Sequence, residues 1–303
     1  MLGDAARRAS QWLLAKECTF ASDWQKNCPG AAPGGWFFEF ANPHYPDVDD
    51  TAMVVMALKR LGGDAAAPAI RRGIDWLLAM QNDDGGWAAF DRTKDRPILE
   101  KVPFADHNAL QDPSCPDIVG RTLESLGHCG FGKDRPAVRR AIAYLKSQQD
   151  KSGAWWGRWG VNYVYGTWQV LCGLRSAGED MGEAYVQRAA EWLRSSQKAD
   201  GSWGESCYSY EDAAAKGMGE STPSQTAWGA MGLMAACGPD DPCVGRAIEW
   251  LIENQSHEGS WDERFCTGTG FPRVFYLTYH LYRLYFPLMA LGRYRRLRES
   301  RGK

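Results

Sequence analysis

The sequence predicts an all-α protein built from paired helices. Three observations predict it: a unit of fixed spacing recurs, apolar patterns of helical period alternate with loops rich in Gly, Pro or Asp, and strand signals are weak throughout. The recurring unit is an apolar helix carrying Trp or Tyr then Leu, followed by Gln-x-x-x-Gly-x-Trp. It reads "DWLLAMQNDDGGW" ending at Trp87, "AYLKSQQDKSGAW" ending at Trp155, "EWLRSSQKADGSW" ending at Trp203 and "EWLIENQSHEGSW" ending at Trp261, with Gln81, Gln149, Gln197 and Gln255 leading the motif. "QWLLAKE" from Gln11 is a degenerate fifth copy, with Glu17 in place of Gln and a longer insert before Gly34 to Trp36.

In chain order, the Trp-Leu pattern predicts helices over 5–16, 68–80, 136–149, 184–197 and 243–255. Between them, apolar segments predict helices over 49–61, 116–127, 163–177, 223–237 and 274–291, each entered from a loop rich in Gly, Pro or Asp. That makes ten helices in five pairs. Such pairs stack into a straight solenoid or close into a toroid of inner and outer helices, and periodicity alone does not choose. The motif's Gln can bond backbone groups at a helix end while its Trp stacks over the next turn, with Gly making the bend. A Trp-lined sugar groove is the other reading, but braces at fixed helix ends explain the regularity without a ligand.

Composition narrows the function classes. The chain has 303 residues, 44% of them hydrophobic, enough for a packed core. Lys plus Arg number 35 against 37 for Asp plus Glu, so no whole-chain field attracts nucleic acid. The N-terminus lacks the apolar core and cleavage site of a signal peptide. The run "VFYLTYHLYRLYFPLMAL" is broken as a membrane span by His280, Arg283 and Pro287. Nine cysteines, odd in number and without a Cys-x-x-Cys pair, read as thiols of a reducing cytoplasm. With five unclustered histidines, they lack metal-ligand spacing, so no metal or other cofactor is expected. Fourteen tryptophans exceed what a core alone requires.

The segment "YPDVDDTA" places Asp47, Asp49 and Asp50 at the mouth of an apolar helix. One such aspartate is explained as an N-cap; three are not. Crowded carboxyls at an apolar boundary can keep a carboxylic acid protonated, as acid catalysis needs. The spacing does not fit a calcium loop. Asp117 and Arg121, one helical turn apart, read equally as a surface ion pair or as part of the same chemistry.

Together, the Gln-x-x-x-Gly-x-Trp repeats and "DVDDTA" resemble the catalytic half of squalene-hopene cyclases, the bacterial class II triterpene cyclases. The blocks "PGGWFFEFANPHYPDVDDTA", "WWGRWGVNYVYGTW", "GSWGESCYSY", "STPSQTAW" and "GTGFPRVFYLTYHLYRLYFPLMALGRYRR" carry the likeness over nearly the whole chain. The resemblance implies an α/α toroid of the terpenoid cyclase and prenyltransferase kind, with residues 1–303 forming one C-terminal catalytic domain. Family chains are roughly twice as long, and their second helical domain has no counterpart here. Five pairs, against six in the family barrel, also point to a missing closing element.

By the same resemblance, the reaction is cyclisation of squalene or a shorter polyprenoid to hopene- or hopanol-type products through carbocations. Asp49 is then the proton donor, tuned by Asp47 and Asp50, and Asp117 is a further carboxylate near the acid. Arg121 stands where family members carry a His that bonds the donor. Arginine does not readily exchange its proton, so it can stabilise the conjugate base but reprotonation needs another route, such as water. The implied cavity lining is Phe38, Phe90, Trp159, Tyr165, Phe271, Phe275, Tyr279 and Tyr282, whose faces can stabilise a moving cation without capturing it. Phe90 replaces a Tyr common in relatives. Phe104 and Ala105 fall at the substrate-channel constriction, widened where Cys is usual. Phe275, Tyr279 and Tyr282 are expected on one helix face.

The implied partner is an apolar, squalene-like polyprenoid. An N-terminal cyclase half, a second copy of the chain and a peripheral contact on the cytoplasmic membrane face remain open, the last resting on the basic tail "RYRRLRESRGK". The competing reading is a non-autonomous or inactive half that requires such a partner. Protein prenyltransferase subunits would need a zinc set that is not seen, and carbohydrate-active enzymes would leave "DVDD" unexplained.

Overall fold

The computed structural model describes residues 3–92 and 110–301. Among them are ten α-helices and two short antiparallel hairpins. They form two compact units, one holding the described residues up to Ser147 with Ser176–Glu179, the other Gln148–Arg175 with those from Asp180 onward.

In the first unit, α1 spans Asp4–Ala15, α2 Val48–Leu61, α3 Ala67–Ala79 and α4 Pro116–His128, while α5, Pro136–Gln148, ends at its boundary. Strands β1, Trp36–Phe37, and β2, Pro46–Asp47, pair Trp36 with Asp47 ahead of α2. The second unit holds α6, Tyr163–Ser176 up to Arg175, with α7, Ala184–Ser196, α8, Pro223–Ala236, and α9, Pro242–Glu253. It continues through β3, Gly268–Phe271, and β4, Phe275–Leu277, into α10, Tyr282–Arg301.

Burial separates two kinds of helix. The Trp-Leu helices α3, α5, α7 and α9 bury one face only, as their amphipathic sequences require. By contrast α8 is buried along its whole length, matching its lack of a charged residue, and α4 is buried from Pro116 to Leu126 although it carries Asp117, Arg121 and Glu124. α2 buries Val48, Thr51, Ala52, Val55 and Leu58 and half-buries most of its other side, with only Lys59 and Arg60 exposed.

The repeat motif is a brace. Gln81, after α3, donates from Nε2 to Gly85 O and to Ala137 O in the first turn of α5, each at 2.9 Å. Gln149 joins Gly153 O (2.8 Å) to Tyr185 O (2.7 Å), and Gln197 joins Gly201 O (2.9 Å) to Cys243 O (2.8 Å). Arg140, Arg188 and Arg246 donate to the respective Gln Oε1. The degenerate copy keeps the arginine but not the amide donor, Glu17 accepting from both Arg72 Nε (2.6 Å) and Nη2 (2.7 Å). Trp87, Trp203 and Trp261 turn the indole N–H back to a helix carbonyl, to Leu77 O (2.7 Å), Leu193 O (2.9 Å) and Leu251 O (2.8 Å). Gly201 has φ 91°, and a Cβ there would lie 2.7 Å from Arg246 O, so the motif requires glycine twice over.

One expected element is wrong. The helix predicted over 274–291 begins only at Tyr282 and runs to Arg301, because the β3–β4 hairpin occupies the preceding stretch. Pro272 and Arg273, at φ 71°, turn the chain. Gly268 and Gly270 leave room for the rings of Tyr279 and Phe275, which an added Cβ would meet at 2.5 and 2.0 Å. Phe275 therefore lies in a strand, Tyr279 in the link and Tyr282 at the helix start, so the three do not share a helix face.

Candidate active site

The acid cluster is built in the first unit where two helices begin side by side. The brace segment positions both N-termini: Val48 N donates to Ala89 O (2.7 Å) and Cys115 N to Trp87 O (3.2 Å). α2 thus starts at the aspartates and α4 starts just before Asp117, and the two helices pack together.

Asp47 caps α2. Its Oδ1 accepts from Asp50 N (2.7 Å) and its Oδ2 from Phe38 N (3.0 Å), tying the cap to the end of β1. Thr51, in the next half-turn, accepts Trp36 N at 2.8 Å and closes the same joint. Asp47 is buried, and that burial, followed by the nearby Asp50 carboxyl, raises its pKa well above the ordinary carboxylate range despite the two amide donors. Burial, and then repulsion from Asp49, push Asp50 up to about 6, against the pull of its hydrogen bond with Asp47 and of the Arg121 guanidinium.

Asp49 meets a cation. Arg121 Nε lies 3.2 Å from Asp49 Oδ1, and Arg121 Nη1 reaches the sulfur of Met53, one turn along α2. Asp117 and Arg121 are 1% and 6% exposed, which excludes the surface-pair reading of their spacing. Arg121 bridges helices instead of decorating one. Met53 and Thr51 were not found from the sequence; Met53 follows Asp49 by the same four-residue step that separates Asp117 from Arg121, the only signal that could have found it.

Beside the cluster, a cleft of about 190 Å³ is lined by Trp12, Leu13 and Lys16 of α1, by Trp36 to Glu39, and by Asp50 and Val54. Phe38 stands exposed at its rim, and Phe90 is exposed too, its N–H held by Asp112 Oδ2 at 2.7 Å. Phe104 and Ala105 lie outside the described residues.

The remaining aromatic residues belong to the second unit and form two groups. Trp159 meets Phe271 at 6.4 Å between ring centroids and Phe271 meets Phe275 at 5.8 Å, with the Arg158 guanidinium over both Trp159 and Phe271 at 5.5 and 5.9 Å. Tyr165 packs against Trp228 (4.9 Å), Trp228 stacks on Trp168 (5.8 Å), and Phe286 meets both. Tyr279 stacks on Tyr282 (4.7 Å), which leads into that cluster through Phe286 (4.9 Å). Trp168, Trp228 and Phe286 were missed because apolar periodicity marks them only as core. Tyr165 is itself buried.

Solved structures place the fold. A type II terpene cyclase, MstE, from Scytonema in its apo form matches 99% of this chain and 83% of its own with a TM-score of 0.64 at 16% identity. An ent-copalyl diphosphate synthase from Streptomyces platensis matches 94% of this chain and 44% of its own at a TM-score of 0.54 and 21% identity. This is the expected all-α, terpene cyclase fold.

Sequence comparison is closer. A probable squalene–hopene cyclase from Sinorhizobium fredii is 47% identical over 97% of this chain and 47% of its own length. The squalene–hopene cyclase of Bradyrhizobium diazoefficiens is 45% identical over 99% of this chain and 46% of its own. The chain thus spans about half the length of the curated relatives it matches. The family model for the squalene-hopene cyclase C-terminal domain matches residues 2–296. On its braces, its aspartate-bearing helix start and these matches, the chain belongs to the squalene-hopene cyclase family, as a form of its C-terminal domain.

Proposed function

We propose that the chain carries the acid-initiated step of polyprenoid cyclisation, on squalene or a shorter polyprenoid, giving a hopene- or hopanol-type product. One observation carries the reading: three carboxyls converge at the α2 N-terminus with Asp47 buried, Asp50 titrating at about 6 and Asp49 held by a buried guanidinium. Asp49 gives its proton to a terminal alkene carbon, and Arg121 stabilises the carboxylate left behind. Asp47 fixes the helix start, Asp50 and Asp117 shape the local field, and the ring face of Phe38, at the rim of the cleft beside them, stabilises the cation formed there. The whole of residues 1–303 acts as one catalytic domain in the cytoplasm, a location supported by its odd, widely spaced thiols.

The test is incubation of the purified chain with squalene, farnesol-type and geranylgeraniol-type polyprenols in detergent, read by gas chromatography and mass spectrometry. Cyclic product from wild type and none from Asp49→Asn supports an autonomous cyclase. No product from either points to the second reading, a half that requires an N-terminal partner. The relatives' greater length and the exposure of Trp12, Phe38 and Phe40 favour that reading. A peripheral membrane contact would then supply the apolar substrate, with the arginines of α10 on anionic headgroups.

A further inference from the structure

The cation that faces Asp49 is a guanidinium, which keeps its proton. Arg121 is fixed by Asp49 Oδ1 at 3.2 Å and by the Met53 sulfur, and it is buried. It can hold a carboxylate but cannot recharge it. Asp47 is no better placed, since each of its oxygens already accepts a backbone N–H. Asp50 differs from both: among the described residues no cation lies within ion-pair distance of it, and its side chain borders the cleft lined by Trp12, Leu13, Lys16, Trp36, Phe38 and Val54.

We infer that Asp50 returns the proton that Asp49 gives up, taking it from water in the cleft beside α1. The inference rests on the acid-initiated reading above. The step balances simply. The Asp50 O–H bond breaks as its proton passes to a water, which gives one of its own protons to the Asp49 carboxylate, and the Asp50 carboxylate then takes a proton from hydronium in the cleft. The charged groups facing Asp50 are Asp49 in its own turn, Asp47 from β2, Arg121 from α4, and Lys16 and Glu39 at the cleft. Lys16 is engaged elsewhere, donating to Phe40 O at 2.6 Å and lying 5.4 Å over the Trp12 ring, so it leaves Asp50 free to carry the proton. Three carboxyls against one buried cation favour a retained proton, and the upward shift of Asp50 agrees.

Two measurements test the route, one of them independent of turnover. Carbodiimide coupling of glycinamide, localised by tandem mass spectrometry, should modify Asp50 below pH 6 and spare Asp47; protection of Asp50 overturns the inference. In the cyclisation assay, Asp50→Asn should release one product per chain and stall. Asp50→Glu should restore turnover, and wild-type turnover should fall as pH rises through about 6. Steady wild-type turnover by Asp50→Asn overturns the route. If wild type makes no product, alone or with an N-terminal half from a relative, the cyclase reading fails and the labelling still decides whether Asp50 opens to water.

Discussion

Arg121 Nε stands 3.2 Å from Asp49 Oδ1 across two helices, and the two partners are unequally buried, with side chains 7% and 30% exposed. The inequality sets the cost of breaking the pair. Asp49→Asn leaves a buried guanidinium without its counter-charge, whereas Arg121→Gln leaves a carboxylate that water can reach. Urea denaturation should show a loss of about 2–3 kcal/mol for the first and about 1 kcal/mol for the second. Equal losses would mean that the pair contributes no buried electrostatics.

Asp50 gives stability a pH slope. Its folded pKa, about 6, lies above the unfolded value of about 3.9, so its contribution is full below pH 4 and is lost as pH rises through 6. Wild type minus Asp50→Asn should fall by roughly 2 kcal/mol between pH 4 and pH 8, measured by denaturant titration at each pH. A flat difference would place the carboxyl in water.

The braces should differ in strength by their partners. Gln197→Ala removes bonds to two carbonyls and should cost about 1–2 kcal/mol. Gln255 is exposed and bonds Gly259 O at 3.0 Å, so Gln255→Ala should cost under about 0.5 kcal/mol by the same measurement.

Gly201→Ala combines a φ of 91° with a Cβ 2.7 Å from Arg246 O, and should destabilise by more than about 1 kcal/mol. Thermal unfolding followed by circular dichroism reads this directly, and Gly245→Ala, where an added Cβ meets open space, is the control.

Much of this was legible in the sequence, and the limits have physical causes. The fixed Gln-to-Trp spacing exposed the braces because one backbone geometry repeats, even where Glu17 meets Arg72 in place of a glutamine. The cap role of Asp47 followed from its place before an apolar run. Burial of Asp117 and Arg121 did not, since a four-residue step looks the same on a solvated face and in a helix interface. The second strand of the later hairpin, Phe275–Leu277, was read as helix because Phe275, Tyr279 and Tyr282 fall at helical intervals, while the glycines that admit their rings carry no periodic signal.

The braces also set the grain at which this architecture can be edited. Those of Gln81, Gln149 and Gln197 each tie the end of one Trp-Leu helix to the first turn of the next Trp-Leu helix, so their partners are satisfied within a single repeat's length. Removing or duplicating one whole repeat keeps the surviving braces in register, whereas a cut of equal length through a helix middle severs two at once. Successful length variants of this chain should therefore be counted in repeats, not in residues.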